Sequence, residues 1–129
     1  MRRCIRQLSK RQLLLIGMFP QDQIDELKGL CSGLSLIAEA GMQYLLIQTL
    51  VLPKGCEPPQ LDVLLCPTAR DGYPSRLFFA KQVKGPSQFS WNANGVRIGE
   101  RHWHAFSWRI GGSNLRLAQI LTSHLSALQ

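Results

Sequence analysis

The stretch MQYLLIQTLVL, residues 42–52, decides the fold class. Tyr44, Leu45, Leu46, Ile47, Leu50 and Val51 fit a buried pleated surface, and Gly41 and Pro53 bound the run, so it reads as a buried strand. On its N-terminal side, Ala40-Gly41 makes a turn, and Leu34 to Ala38 is a short apolar segment that pairs with it as a hairpin. On its C-terminal side, Pro53 to Pro59 is a loop with Gly55 and three prolines. Gln60 to Cys66 then reads as a strand, Pro67 to Pro74 as a turn-rich connection, and Arg76 to Val83 as a further strand carrying Phe78-Phe79. Four strands with short connections predict an antiparallel meander.

Helices flank these strands. Pro20 opens the first, with Asp22, Asp25 and Glu26 near its positive end. Ile24, Leu27, Leu30 and Cys31 share one face, and Ser32-Gly33 stops it. After the strands, Lys84 to Gly95 reads as a loop, and Val96 to Trp108 as an irregular segment dense in aromatics and histidines. Gly111-Gly112 breaks the chain, Ser113 is a candidate N-cap, and a helix is predicted from Asn114 to about Leu128. Its buried stripe is Leu117, Leu121, Leu125 and Leu128, with Ile120 and His124 beside it. The expectation is one α+β domain over residues 20–129, made of an N-terminal helix, a four-stranded antiparallel meander and a C-terminal helix. Residues 1–19 form an N-terminal arm, in which Gln7 to Phe19 is either a short helix or a strand.

Composition narrows the function classes. At 129 residues and 45% apolar content, the chain suits a single domain able to bury a core. No apolar run approaches the ~20 residues needed to cross a bilayer, so no membrane partner is expected. The basic N-terminus followed by Leu13 to Phe19 resembles a signal peptide, but no small-residue cleavage site follows. The expected location is the cytoplasm. There, Cys4, Cys31, Cys56 and Cys66 would be free thiols, since none has a C-x-x-C spacing. Cys56, in a Gly/Pro loop, is the one expected to be exposed. The net charge of +7 is scattered among apolar residues beyond residue 11, which fits a solvated basic face or an acidic protein partner.

Several short elements, in order and spacing, resemble one family. Tyr44-Leu45-Leu46-Ile47 is followed by Leu52-Pro53-Lys54-Gly55, then Asp62-Val63-Leu64-Leu65, then Tyr73-Pro74 and the aromatic strand around Phe78. Trp103 with Phe106-Ser107, and Trp108-Arg109 with Gly111, complete the pattern. From Leu34 to Leu128 the chain resembles the bacterial ubiquitin-conjugating-enzyme-like proteins of prokaryotic family E. The resemblance implies the ubiquitin-conjugating fold and a transferase that carries a ubiquitin-like protein. The implied partners are that protein, its activating enzyme and a deubiquitinase-like peptidase of the same operon. No cofactor is expected. In the family an Arg-His pair usually follows the Ser, whereas here Ser107 runs into Trp108 and the histidines sit earlier.

A conventional ubiquitin-conjugating enzyme holds its nucleophilic cysteine after the fourth strand, before the final helices. Thiolate chemistry suits acyl relay. Lys84 to Trp108 contains no cysteine. Two explanations stay open. A hydroxyl replaces the thiol and forms an oxyester, with Ser107 as nucleophile, His104 or His102 as base, and Ser90 in reserve. Alternatively, the domain is a non-catalytic scaffold that binds the ubiquitin-like protein or its activating enzyme. His102 and His104 face one way on a strand but lack further ligands, apart from Glu100, so no metal is expected. A basic nucleic-acid-binding domain is the distant alternative. Trp91, Trp103 and Trp108 beside Arg97, Arg101 and Arg109 could stack bases, but no nucleic-acid motif accompanies them.

Overall fold

A computed structural model describes residues 19–86, 88–112 and 114–129. The arm over residues 1–18, with its helix-or-strand stretch and Cys4, lies outside the described residues, as does Ser113, the predicted helix cap. Among the described residues the order is helix α1 (Gln21–Lys28), strands β1 (Gly33–Glu39), β2 (Met42–Val51), β3 (Gln60–Cys66), β4 (Arg76–Phe79), β5 (Trp91–Ile98) and β6 (Arg101–Phe106), then helix α2 (Leu117–Leu125), which ends in a 3₁₀ turn, Ser126–Leu128. The strands form one antiparallel sheet in the order β1-β2-β3-β4-β6-β5.

The chain is thus α+β, but the sheet has six strands where a four-stranded meander was expected. The first four lie where the apolar runs place them. The other two come from the stretch predicted as loop and irregular segment. β5 hides its strand character because Asn92, Asn94 and Gly95 interrupt its apolar residues and two register irregularities break the alternation. Its partner, β6, carries the apolar residues that anchor the pair. Gly99, with φ of 66°, and Glu100 make the two-residue connection, since Ile98 pairs with Arg101. β4 also ends at Phe79 instead of Val83.

Both faces of the central strands are covered. On one face α1 and α2 pack over Leu36, Leu45, Ile47, Val63, Leu65, Leu77, Phe79 and Phe106. On the other, Tyr44, Leu64, Cys66, Phe78, Ile98, Trp103 and Ala105 form a second cluster. Among the described residues no helix covers that side; the sheet curls over itself. The β5–β6 turn reaches the far edge of the sheet, where Gly99 N–H donates to Glu39 Oε1 at 3.0 Å, and Arg101 pairs with Asp62 of β3 at 2.9 Å.

The helices are joined by Arg116, whose guanidinium meets Asp22 at 2.5 Å and Glu26 at 2.9 Å. Gln23 accepts the first N–H of α2, from Leu117, at 2.8 Å, and Gln119 accepts that of Arg116 at 2.7 Å. This is why α2 starts at Leu117 rather than at Asn114: its orphan N–H groups find partners there. Leu117, Ile120, Leu121, His124 and Leu128 are buried, and Leu125 is half-buried. In α1, Ile24 and Leu27 are buried, but Leu30 lies beyond the helix end and is exposed.

The predicted Ala40-Gly41 turn is the β1–β2 connection, with both residues at positive φ, 52° and 79°. A Cβ makes that conformation costly at Ala40, and Asn-Gly is the preferred pair for such a turn. Replacing Ala40→Asn should therefore raise the unfolding free energy by up to about 1 kcal/mol, measured as a higher urea midpoint at unchanged m-value. An unchanged or lower midpoint would contradict this account of the turn.

Candidate functional site

Ser107 is the first residue after β6 and is exposed. Its N–H donates to Ser90 O at 2.8 Å, which fixes the chain as it leaves the sheet and uses the backbone of the reserve candidate, Ser90. The Ser107 hydroxyl meets the Tyr73 hydroxyl at 2.9 Å. Tyr73 sits in the β3–β4 connection, where Arg70 and Tyr73 exchange two backbone hydrogen bonds of 2.9 Å around Asp71-Gly72. Asp71 and Gly72 both have positive φ, 55° and 85°, so this is a tight reversal that presents the tyrosine.

The phenol is half-buried and set among cations. The Arg76 guanidinium lies 4.6 Å from its ring centre and that of Arg109 lies 5.2 Å away. Arg109 is tied down by donating to Gly72 O at 2.6 Å. Asn92 of β5 donates from Nδ2 to the Tyr73 oxygen at 3.0 Å. Its Oδ1 is taken by Arg76, which fixes which way the amide points. The hydrogen bonds from Ser107 and Asn92, helped by the two guanidinium charges, pull the Tyr73 hydroxyl below its ordinary pKa. Beside Tyr73 opens a cleft of about 440 Å³ lined by Arg70, Asp71, Arg76, Asn92 and Asn94.

The two histidines do not reach this group. β6 carries both on the face opposite Trp103. His104 is half-buried opposite Phe79 of β4, and its Nδ1 accepts the Gly95 N–H at 3.2 Å. His102 is exposed opposite Arg97 of β5. Among the described residues neither makes a hydrogen bond to Ser107, whose hydroxyl partner is Tyr73. In the sequence Tyr73 stands out only as half of a Tyr-Pro pair. The 34-residue separation from Ser107 gives no local signal that the two hydroxyls meet.

One thiol, Cys56, differs from expectation. Cys56 is buried, 5% exposed, because the 3₁₀ turn after α2 closes over its loop; Sγ lies 3.8 Å from Leu128 O. Burial pushes the thiols of Cys31, Cys56 and Cys66 up, away from the nucleophilic thiolate. Of the tryptophans, Trp103 is fully buried, with Nε1 donating to Ile98 O at 3.2 Å. Trp91 meets Phe79, Phe89 and Phe106 edge-on. Trp108 is 40% exposed, with Nε1 donating to Ser123 O at 3.3 Å. Among the described residues no group of three metal-ligating side chains occurs, and no helix is long and apolar enough to cross a membrane. Comparison with protein-family models, with curated proteins and with solved structures gave no match.

Behind the site, Ser75 and His124 are both buried and share a hydrogen bond of 2.9 Å between Oγ and Nε2, which ties α2 to the start of β4. Desolvation, reinforced by the Arg76 charge, pulls the His124 imidazole down to about 4. The folded chain favours the neutral ring, whereas the unfolded chain protonates it near 6.5. That contribution is complete above pH 6.5 and is lost as pH falls toward 4. Between pH 7 and 4.5 the wild type should lose about 2–3 kcal/mol more unfolding free energy than His124→Gln. Equal losses in chemical denaturation would show that His124 does not carry the acid sensitivity.

Proposed function

We propose that this chain has the ubiquitin-conjugating type of fold and carries a ubiquitin-like protein as an ester on a hydroxyl rather than on a thiol. The order α1, β1 to β4 as consecutive antiparallel neighbours, and a closing α2 supports the fold reading, with β5 and β6 as an added hairpin. The observation that carries the function is the contact between Ser107 and Tyr73. It puts an exposed hydroxyl against a polarised phenol within the segment where a conventional enzyme keeps its cysteine. The raised thiols of half-buried Cys31 and of buried Cys56 and Cys66 support Ser107 as the better placed acyl acceptor. The ubiquitin-like protein would arrive from its activating enzyme as a thioester and leave to an amine or hydroxyl acceptor. Exposed Arg97, Arg101 and Arg109 would suit an acidic surface on either partner, or on a deubiquitinase-like peptidase.

A second reading is a scaffold that binds the same partners without chemistry. Trp108 favours it: a half-exposed indole next to Arg109 is the kind of side chain that anchors protein interfaces. The two readings separate when the protein is incubated with a ubiquitin-like protein, its activating enzyme and ATP. The carrier should form a covalent adduct that survives thiol reductant and is cleaved by strong base. Ser107→Ala should abolish it, and Cys56→Ser should not. Retained binding with no adduct would leave the scaffold, and salt-sensitive nucleic-acid binding without a protein partner would remove both.

A further inference from the structure

We infer that Tyr73 is the general base that takes the proton of Ser107. This rests on the reading of Ser107 as acyl acceptor. A serine hydroxyl is a weak nucleophile until a base lies within hydrogen-bond reach, and the group within reach is the phenol at 2.9 Å. The surrounding contacts suit that role. Arg76 holds Asn92 Oδ1, so the other end of the amide must donate its N–H to the Tyr73 oxygen. The phenol oxygen is therefore always an acceptor toward Asn92. As a phenolate it accepts from both Asn92 and Ser107, the geometry a base needs.

Every charged or titratable group around the ring fits this. Arg76 of β4 and Arg109 after β6 stand 4.6 Å and 5.2 Å from the ring centre and favour the negative form. Asp71 would oppose it, but its carboxylate is spent on Arg76 at 2.7 Å and on Arg70 at 3.3 Å. Arg70 itself points away, to the Tyr44 hydroxyl. His124 lies buried behind Ser75, and His104 is engaged with Gly95.

The step balances. Tyr73 phenolate removes the Ser107 proton as Oγ attacks the thioester carbonyl. The C–O bond forms and the C–S bond breaks. The departing thiolate takes the proton from the phenol, which restores the phenolate.

The chain contains two tyrosines, so the test is direct. Tyr44 is buried and its phenol is pushed up by desolvation, which separates its titration from that of Tyr73. In the ultraviolet titration of the full chain, the lower phenol transition should disappear in Tyr73→Phe and move up in Ser107→Ala and Arg109→Ala. With p-nitrophenyl acetate as acyl donor, mass spectrometry should find the acetyl group on Ser107. Its rate should rise with pH through the Tyr73 midpoint, fall by about 100-fold or more in Tyr73→Phe, and stay unchanged in His102→Ala and His104→Ala. A lower transition that persists in Tyr73→Phe, an acetyl group on Tyr73, no acetylation of Ser107, or equal rates in Tyr73→Phe would each overturn the assignment. A Ser107-dependent adduct with the ubiquitin-like protein that forms equally in Tyr73→Phe would remove the base and keep the carrier. Tyr73-dependent acetylation with no such adduct would do the reverse.

Discussion

A guanidinium buried at the start of β4 governs the arrangement around it. Arg76 is 4% exposed. A charge so far from water is tolerated only when paired and hydrogen-bonded. Asp71 supplies the countercharge and Asn92 a second acceptor. The Tyr73 and Phe78 rings flank the guanidinium, and its Nε has no hydrogen-bond partner among the described residues. Satisfying this one group fixes the Asp71-Gly72 reversal, orients the Asn92 amide and sets Tyr73 beside Ser107. Burial, and after it the same charge, depresses the His124 imidazole.

The sheet gives that cluster a rigid base. β3 and β4 are buried on both faces, so Val63, Leu65, Leu77 and Phe79 hold the helices while Leu64, Cys66 and Phe78 hold the curled hairpin. Trp103 fills the curl, and the Gly99–Glu39 and Arg101–Asp62 contacts close it. β5 and β6 thereby present Asn92 and Ser107 to a loop that precedes them in the chain by 19 and 34 residues. Their positions follow from strand pairing rather than from loop flexibility.

Local chemistry made some of this legible in advance. β1 to β3 and the Ala40-Gly41 turn could be read because apolar runs bounded by turn residues have few other solutions. The α2 stripe was legible for the same reason, apart from Leu125. β5 was not, since its polar positions and irregular register erase the two-residue period on which such a reading depends. Cys56 looked exposed because Gly and Pro surround it. What buries it is Leu128, at the far end of the chain. The histidines near Ser107 looked like its bases because they are close in sequence. In a strand, however, proximity along the chain says little about which groups meet across the sheet edge.

The sequence by itself determined an α+β domain, a core able to form without staples, and a stretch from Lys84 to Trp108 without a cysteine. Those follow from composition and periodicity, which local windows of sequence carry. Tertiary structure alone decided that the described residues form a six-stranded sheet, that Cys56 is buried, and that a tyrosine stands beside Ser107. The physical reason is that burial and long-range hydrogen bonding are properties of the closed sheet. No window of neighbouring residues contains Arg76, Asn92, Ser107 and Arg109 together with the ring they enclose.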